Sequence, residues 1–262
     1  MVALITYLIL GAFAGLVAGL LGVGGGLIIV PVLVFIFTDQ GLAEHLIVHL
    51  AVGTSLATIV FTSISSVRAH HQHGAVLWPV FWQLTPGIVV GAWLGAAFAD
   101  VLASDQLRRF FGVFELLVAI QMTFNVKPRP HRQLPGRAGM FGAGGVIGAI
   151  SAVVGIGGGT MTVPFLVWCN VAMRKAVATS SACGLPIAIA GATGFIVTGW
   201  NAIDLPAYSS GYVYWPAFLG IVIASILTAP IGARLAHRLP AAQLKRIFAI
   251  LLYILGLRML LG

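Results

Sequence analysis

Charge is what this sequence lacks. Only 8% of its 262 residues are charged, and Asp and Glu together number six. A soluble domain carries roughly 25% charged residues, so no water-facing surface can be assembled from this list. Six scattered acidic residues also supply no convergent set of acid, base and nucleophile, and the chain is read as a non-enzyme. Cysteine is equally scarce. Cys169 and Cys183 lie in or beside apolar segments without metal-ligand spacing, which makes them small core residues; neither a metal nor a cofactor is expected. No Gly-Lys-Ser/Thr follows any glycine run, so a phosphate-binding loop is excluded. Any pumping would draw on an ion gradient, a substrate gradient or a separate subunit.

What is there is apolar surface. Hydrophobic residues make up 60% of the chain, in repeated runs long enough for a hydrocarbon core about 30 Å thick. The runs are continuous rather than alternating, which selects membrane helices over barrel strands. The lipid bilayer is therefore the first partner. A net charge of +8 then reads as basic loops on the cytoplasmic face rather than as a nucleic-acid surface. The segment Met1 to Leu21 has no positively charged start, and a retained first helix is expected there.

The two halves of the chain resemble each other. Gly15-Leu-Val-Ala-Gly-Leu-Leu-Gly22-Val-Gly-Gly-Gly26 is echoed by Gly148-Ala-Ile-Ser-Ala-Val-Val-Gly155-Ile-Gly-Gly-Gly159, with Pro31 and Pro164 at the same distance beyond. Ala51-Val-Gly-Thr-Ser55 pairs with Ala176-Val-Ala-Thr-Ser180, Gly74 and Trp78-Pro79 with Gly211 and Trp215-Pro216, and Gln106-Leu-Arg-Arg-Phe-Phe111 with Gln243-Leu-Lys-Arg-Ile-Phe248. One transmembrane domain follows: repeat one over 1–126, a hydrophilic linker over 127–138 and repeat two over 139–262. Each repeat reads as a long apolar stretch broken by its glycines and then three spans. The expected segments are 3–37, 47–67, 76–99 and 107–125, then 139–170, 176–199, 213–233 and 244–261.

Basic residues orient the repeats. If each broken stretch crosses once, Lys and Arg divide almost evenly between the two sides. If it folds back instead, Arg68, the four of the linker, Arg174, Lys175, Arg234, Arg238, Lys245 and Arg246 share one side, leaving Arg108, Arg109 and Arg258 on the other. Positive-inside reasoning selects the second arrangement. The expected fold is an all-α polytopic membrane protein of two inverted-topology repeats, each a glycine-broken helical hairpin plus three transmembrane helices, with a cytoplasmic linker and both termini outside.

The glycine runs are the chemical centre. Each consecutive glycine costs a helix about 1 kcal/mol relative to alanine, and irregular backbone in a membrane must be buried in protein or line a cavity. Helix resumes near Leu27 or Pro31, and near Thr160 or Pro164, since proline suits a first turn. Each restart exposes free N–H groups and about half a positive charge, so two restarts brought together would bind an anion without a charged side chain. The ladders Gly11-Gly15-Gly19 and Gly87-Gly91-Gly95 read instead as close helix packing.

The candidate substrate-binding residues are Gly22, Gly24, Gly25, Gly26, Gly155, Gly157, Gly158, Gly159 and Thr160, with the hydroxyls of Thr54, Ser55, Thr179 and Ser180. Such hydroxyls serve oxyanions but also bond neighbouring helices. His49 and Arg174 stand five residues before the paired threonines; Arg174, beside Lys175, reads as a cytoplasmic anchor. Glu115, alone inside a span, is the candidate for coupling to a proton. His70, His71 and His73 read as a solvated loop rather than a metal site.

Two halves that each carry Gly-x-Gly-Gly-Gly, a proline five residues on and an Ala-x-x-Thr-Ser block resemble the sulfite exporter TauE/SafE family of membrane permeases, over about residues 3–258. The resemblance implies a secondary transporter of sulfite, organosulfonates or other small sulfur-containing anions in the bacterial cytoplasmic membrane. It points to Gly22–Gly26 with Pro31, Gly155–Gly159 with Pro164, Thr54-Ser55 and Thr179-Ser180. Ala178 stands where the first half has Gly53, and His49 where the family often shows a small polar amide. A channel, a carrier of a different anion, a non-transporting membrane subunit and a homo-oligomer all stay open at this point.

Overall fold

The computed structural model describes residues 2–21, 25–72, 74–124, 132–236 and 241–261. They form α1 (Val2–Leu21), α2 (Gly26–Asp39), α3 (Ile47–Gln72), α4 (Trp78–Asp100), α5 (Ser104–Thr123), α6 (Arg137–Val154), α7 (Gly159–Trp168), α8 (Met173–Thr198), the strands β1 (Ser209–Ser210) and β2 (Val213–Tyr214), α9 (Trp215–Ala236) and α10 (Ala241–Leu261). The apolar runs thus become helices, and helix ends fall where glycines and polar loops predict them. Both long stretches are broken: a turn at Gly25 precedes α2, and α6 ends immediately before Gly155.

Of the two expected restarts in each half, the earlier ones, near Leu27 and Thr160, hold, and those at the prolines do not. α2 begins at Gly26 and α7 at Gly159, so Pro31 and Pro164 lie inside their helices and not in the first turn. Their missing N–H groups leave the carbonyls of Leu27 and Thr160 without a helical donor. The short β1–β2 hairpin is a second departure from an all-helical expectation. Positive φ at Tyr208 and Gly211 turns the chain there, and the turn sets Tyr212 against α3.

Glycine decides which helices pair. Along α1, Gly11 and Gly15 lie against the backbone of Ile221 and Ser225 in α9, and Ser225 Oγ donates to the Gly11 carbonyl at 2.9 Å. Along α4, Gly87, Gly91 and Gly95 lie against Phe141, Gly145 and Ala149 of α6. In both pairs the residue numbers rise together, so the helices run parallel. By contrast α3 meets α8 with Leu56 beside Gly191 and Ser63 beside Gly184, and α5 meets α10 with Gly112 beside Leu260 and Leu116 beside Gly256; these pairs run antiparallel. Exchanging the two halves turns the α1–α9 contact into the α6–α4 contact and maps α3–α8 and α5–α10 onto themselves.

The interior is apolar, with Leu27, Leu33, Phe37, Leu50, Leu84 and Phe195 fully buried. The outer face is apolar as well: Leu94, Leu117, Leu227 and Ile247 are exposed. Such a surface suits lipid and not water. Among the described residues, α3, α4, α6 and α8 are each long and apolar enough to cross a membrane. The chain is an all-α polytopic membrane protein.

The packing carries a testable consequence. A methyl group on Gly91 would run into the Gly145 carbonyl, whereas Gly142, on α6 as well, faces open space. Gly91→Ala should lower stability by about 1–3 kcal/mol through overpacking, while Gly142→Ala should raise it by up to about 1 kcal/mol through helix propensity. Thermal unfolding in detergent distinguishes the two.

Candidate functional site

The second glycine break is fully described. Gly155 closes α6 in the left-handed conformation (φ 74°), its N–H bonding the Ala152 carbonyl and the Ile156 N–H the Ser151 carbonyl, a Schellman-type stop. Gly158, also left-handed (φ 73°), caps α7, and its carbonyl accepts from Met161 and Thr162. Between them Gly157 lies beside Ile59 of α3 and Gly184 of α8. Both residues sit halfway along 26-residue helices, so the restart of α7 is deep inside the bundle, at the crossing of α3 and α8.

The first break meets the second. Gly26, the first residue of α2, packs against the Gly155 carbonyl and Ile156. Ser55 Oγ donates to the same Gly155 carbonyl at 2.9 Å. The two breaks differ in conformation: Gly25 caps α2 at φ −72°, while its counterpart Gly158 is left-handed. Gly22 and Gly24 lie outside the described residues, as does His73.

The paired threonines hold helix starts in the opposite half. Thr54 Oγ1 accepts from the Tyr214 N–H ahead of α9, and Thr179 Oγ1 accepts from the Leu77 N–H ahead of α4, each at 3.0 Å. A cross-half latch thus explains their matching positions without a ligand. Ser180 behaves differently from Ser55: buried, its Oγ has no partner among the described residues.

Three more buried hydroxyls around the second break lack partners among the described residues: Ser151, Thr160 and Thr162. Leaving a buried hydroxyl unpaired costs about 1–3 kcal/mol, so their concentration beside a helix start is the feature of the site that packing does not explain. A methyl group on Gly158 would lie 3.4 Å from Thr162 Oγ1 and 3.5 Å from Ser151 Oγ; both hydroxyls converge on this glycine. Ser151 and Thr162 were missed in the sequence because their counterparts in the first half are Ala18 and Ile29. That very mismatch between otherwise repeated segments was the available signal.

Glu115 is fully buried in α5, and neither carboxylate oxygen has a partner among the described residues. His49 is occupied structurally: its Nε2 lies 2.9 Å from the Ala99 carbonyl, and its ring lies 5.0 Å from that of Tyr212. Tyr212 in turn donates to Asp100 at 2.7 Å; burial and the Asp100 carboxylate push its phenol well above the usual range. Arg174 and Lys175 are exposed in the first turn of α8. Away from the breaks, a cavity of about 600 Å³ opens beside the end of α2 and the starts of α3 and α5, lined by Glu44, His45, Asp105 and Arg108 among others.

Comparison with known proteins agrees with a transport protein. The chain is 37% identical to a probable membrane transporter protein of Haemophilus influenzae, over 97% of both chains. It is 28% identical to one of Methanocaldococcus jannaschii, over 97% of this chain and 94% of that one. A third, YunE of Bacillus subtilis, is 26% identical over 96% of this chain and 95% of its own. No solved structure matches. The family model described as sulfite exporter TauE/SafE matches residues 7–259, nearly the whole chain, and the protein belongs to that family of membrane transporters.

Proposed function

We propose that this protein is a secondary carrier that moves small sulfur-containing anions, sulfite or organosulfonates, across the bacterial cytoplasmic membrane by alternating access. The anion binds where the two glycine breaks meet. One observation carries the reading: α7 restarts at Gly158 midway along the α3–α8 crossing, with the start of α2 packed against the same break. A helix start presents N–H groups and partial positive charge, and in the interior of a membrane protein these are the means of holding an anion without a buried lysine or arginine.

The halves act as inverted-topology repeats. The antiparallel pairs α3–α8 and α5–α10 support this, because a two-fold axis in the membrane plane reverses the direction of each helix it relates. Alternating helix direction then gathers Arg68, Arg132, Arg174 and Lys175 at the linker end. There Arg132 lies over the Trp168 ring, 5.2 Å from its centroid. Positive-inside reasoning makes that end cytoplasmic and puts the cavity lined by Arg108 on the outer side. Glu115 carries the proton if transport is coupled to one, since a buried carboxyl with no partner among the described residues is costly to leave charged.

The test is flux of sulfite and of ethanesulfonate in proteoliposomes, with and without an imposed pH gradient. Saturable uptake of either anion is expected. Movement of neither by folded protein would overturn the cargo, and flux that rises linearly with concentration would replace a carrier with a channel.

A further inference from the structure

Although the glycine motif is duplicated, its two copies are not chemically alike. Gly25 and Gly158 hold equivalent places ahead of α2 and α7. The side-chain atoms nearest a methyl group on Gly25 would be Ile29 Cδ1 at 3.1 Å and Ala14 Cβ at 3.5 Å. At Gly158, Ile187 fills one side, but the next atoms are the hydroxyls of Thr162 and Ser151. Both hydroxyls are fully buried and unpartnered among the described residues. Leu27 and Ile29, buried at the start of α2, take the places that Thr160 and Thr162 hold at the start of α7.

We propose that the second break alone reads the charged head of the ligand, through Ser151, Thr162 and the first N–H groups of α7, while the start of α2 offers Ile29, beside Gly25, to an apolar remainder. The ligand class is a small organic oxyanion with a methyl- or ethyl-sized substituent, bound in one orientation. This rests on the carrier reading above and deepens it. Each hydroxyl has a proton to donate to an anionic oxygen, and hydrogen bonds to charged groups are the strong ones. An apolar partner surface favours ligands that carry carbon over a bare oxyanion. Pseudo-symmetry of the backbone therefore coexists with a one-way ligand.

The experiment compares concentration-dependent uptake of sulfite and ethanesulfonate by the full chain in proteoliposomes. Ser151→Ala and Thr162→Val should each raise the half-saturating concentration of both anions by about tenfold, with the maximal rate within about twofold. Thr162→Ser, which keeps the hydroxyl, should stay close to the wild type. Thr193→Val is the control, since the Thr193 hydroxyl bonds carbonyls of its own helix, and it should change nothing. Ile29→Thr should weaken ethanesulfonate relative to sulfite. Both hydroxyl substitutions remove groups that bond nothing else among the described residues, so thermal unfolding in detergent should show folded protein. Unchanged half-saturation in Ser151→Ala and Thr162→Val, while the wild type still transports, would overturn the assignment and leave the carrier standing. Failure of the wild type to move either anion would bring down both.

Discussion

Gly158→Leu should abolish anion uptake in proteoliposomes, lowering the initial rate by at least about a hundredfold, while the protein still folds. Two effects combine at this position. The backbone is left-handed there, which costs a residue with a Cβ about 1–2 kcal/mol. The added side chain also projects into Ile187 and toward Ser151 and Thr162, at the place proposed for the anion beside the start of α7. Strain and occupancy can be separated with Gly41→Ala, because Gly41 has φ 69° with nothing within 4 Å of the added methyl. That substitution carries the same conformational cost away from the breaks and should leave uptake unchanged. Undiminished uptake in Gly158→Leu would remove the second break from the transport path.

Glu115→Gln should eliminate the response to an imposed pH gradient, at least about tenfold in driven uptake, while leaving anion-for-anion exchange. The side chain is fully buried and both its oxygens lack partners among the described residues. A charge in that setting costs several kcal/mol, so the carboxyl can join the transport cycle only by carrying a proton. Glutamine preserves size and polarity but cannot take or release one. Its helix lies against α10, with Gly112 and Gly256 allowing the approach, and Leu252 stands at the equivalent place in the other half. Any coupling through Glu115 would therefore be unilateral. A pH-gradient response retained in Glu115→Gln would move the coupling group elsewhere.

Much of the fold was legible because lipid reduces the choices. Apolar runs broken only by glycine or by short polar loops must be helices, and the expected 47–67, 76–99 and 176–199 became α3, α4 and α8 with ends shifted by a few residues. The breaks at Gly155–Gly158 were visible for the same reason. Pro31 and Pro164 did not mark the restarts: each lies one turn inside its helix, which begins at Gly26 or Gly159 beside the other expected starts, Leu27 and Thr160. The bonding of Thr54 and Thr179 was not legible: their partners, Tyr214 and Leu77, lie 160 and 102 residues away, and no local pattern encodes which distant N–H will arrive. Ser151 and Thr162 hid for a different reason. A hydroxyl in a membrane helix ordinarily bonds its own preceding turn, as Thr85 and Thr228 do, and only coordinates reveal one that does not.

The exchange of partners between halves has a consequence for how the protein is made. α1 finds its glycine-matched neighbour in α9, and α4 finds its own in α6, so neither repeat contains the contacts that complete it. During synthesis α1 must wait in the bilayer until most of the chain has followed. Assembly should accordingly be a late event, and a chain cut within the linker should yield two fragments that are each unfinished and mutually complementary. The contacts α1–α9 and α4–α6 are therefore not an interface between two finished units: each half presents a glycine-lined helix that only the other half covers.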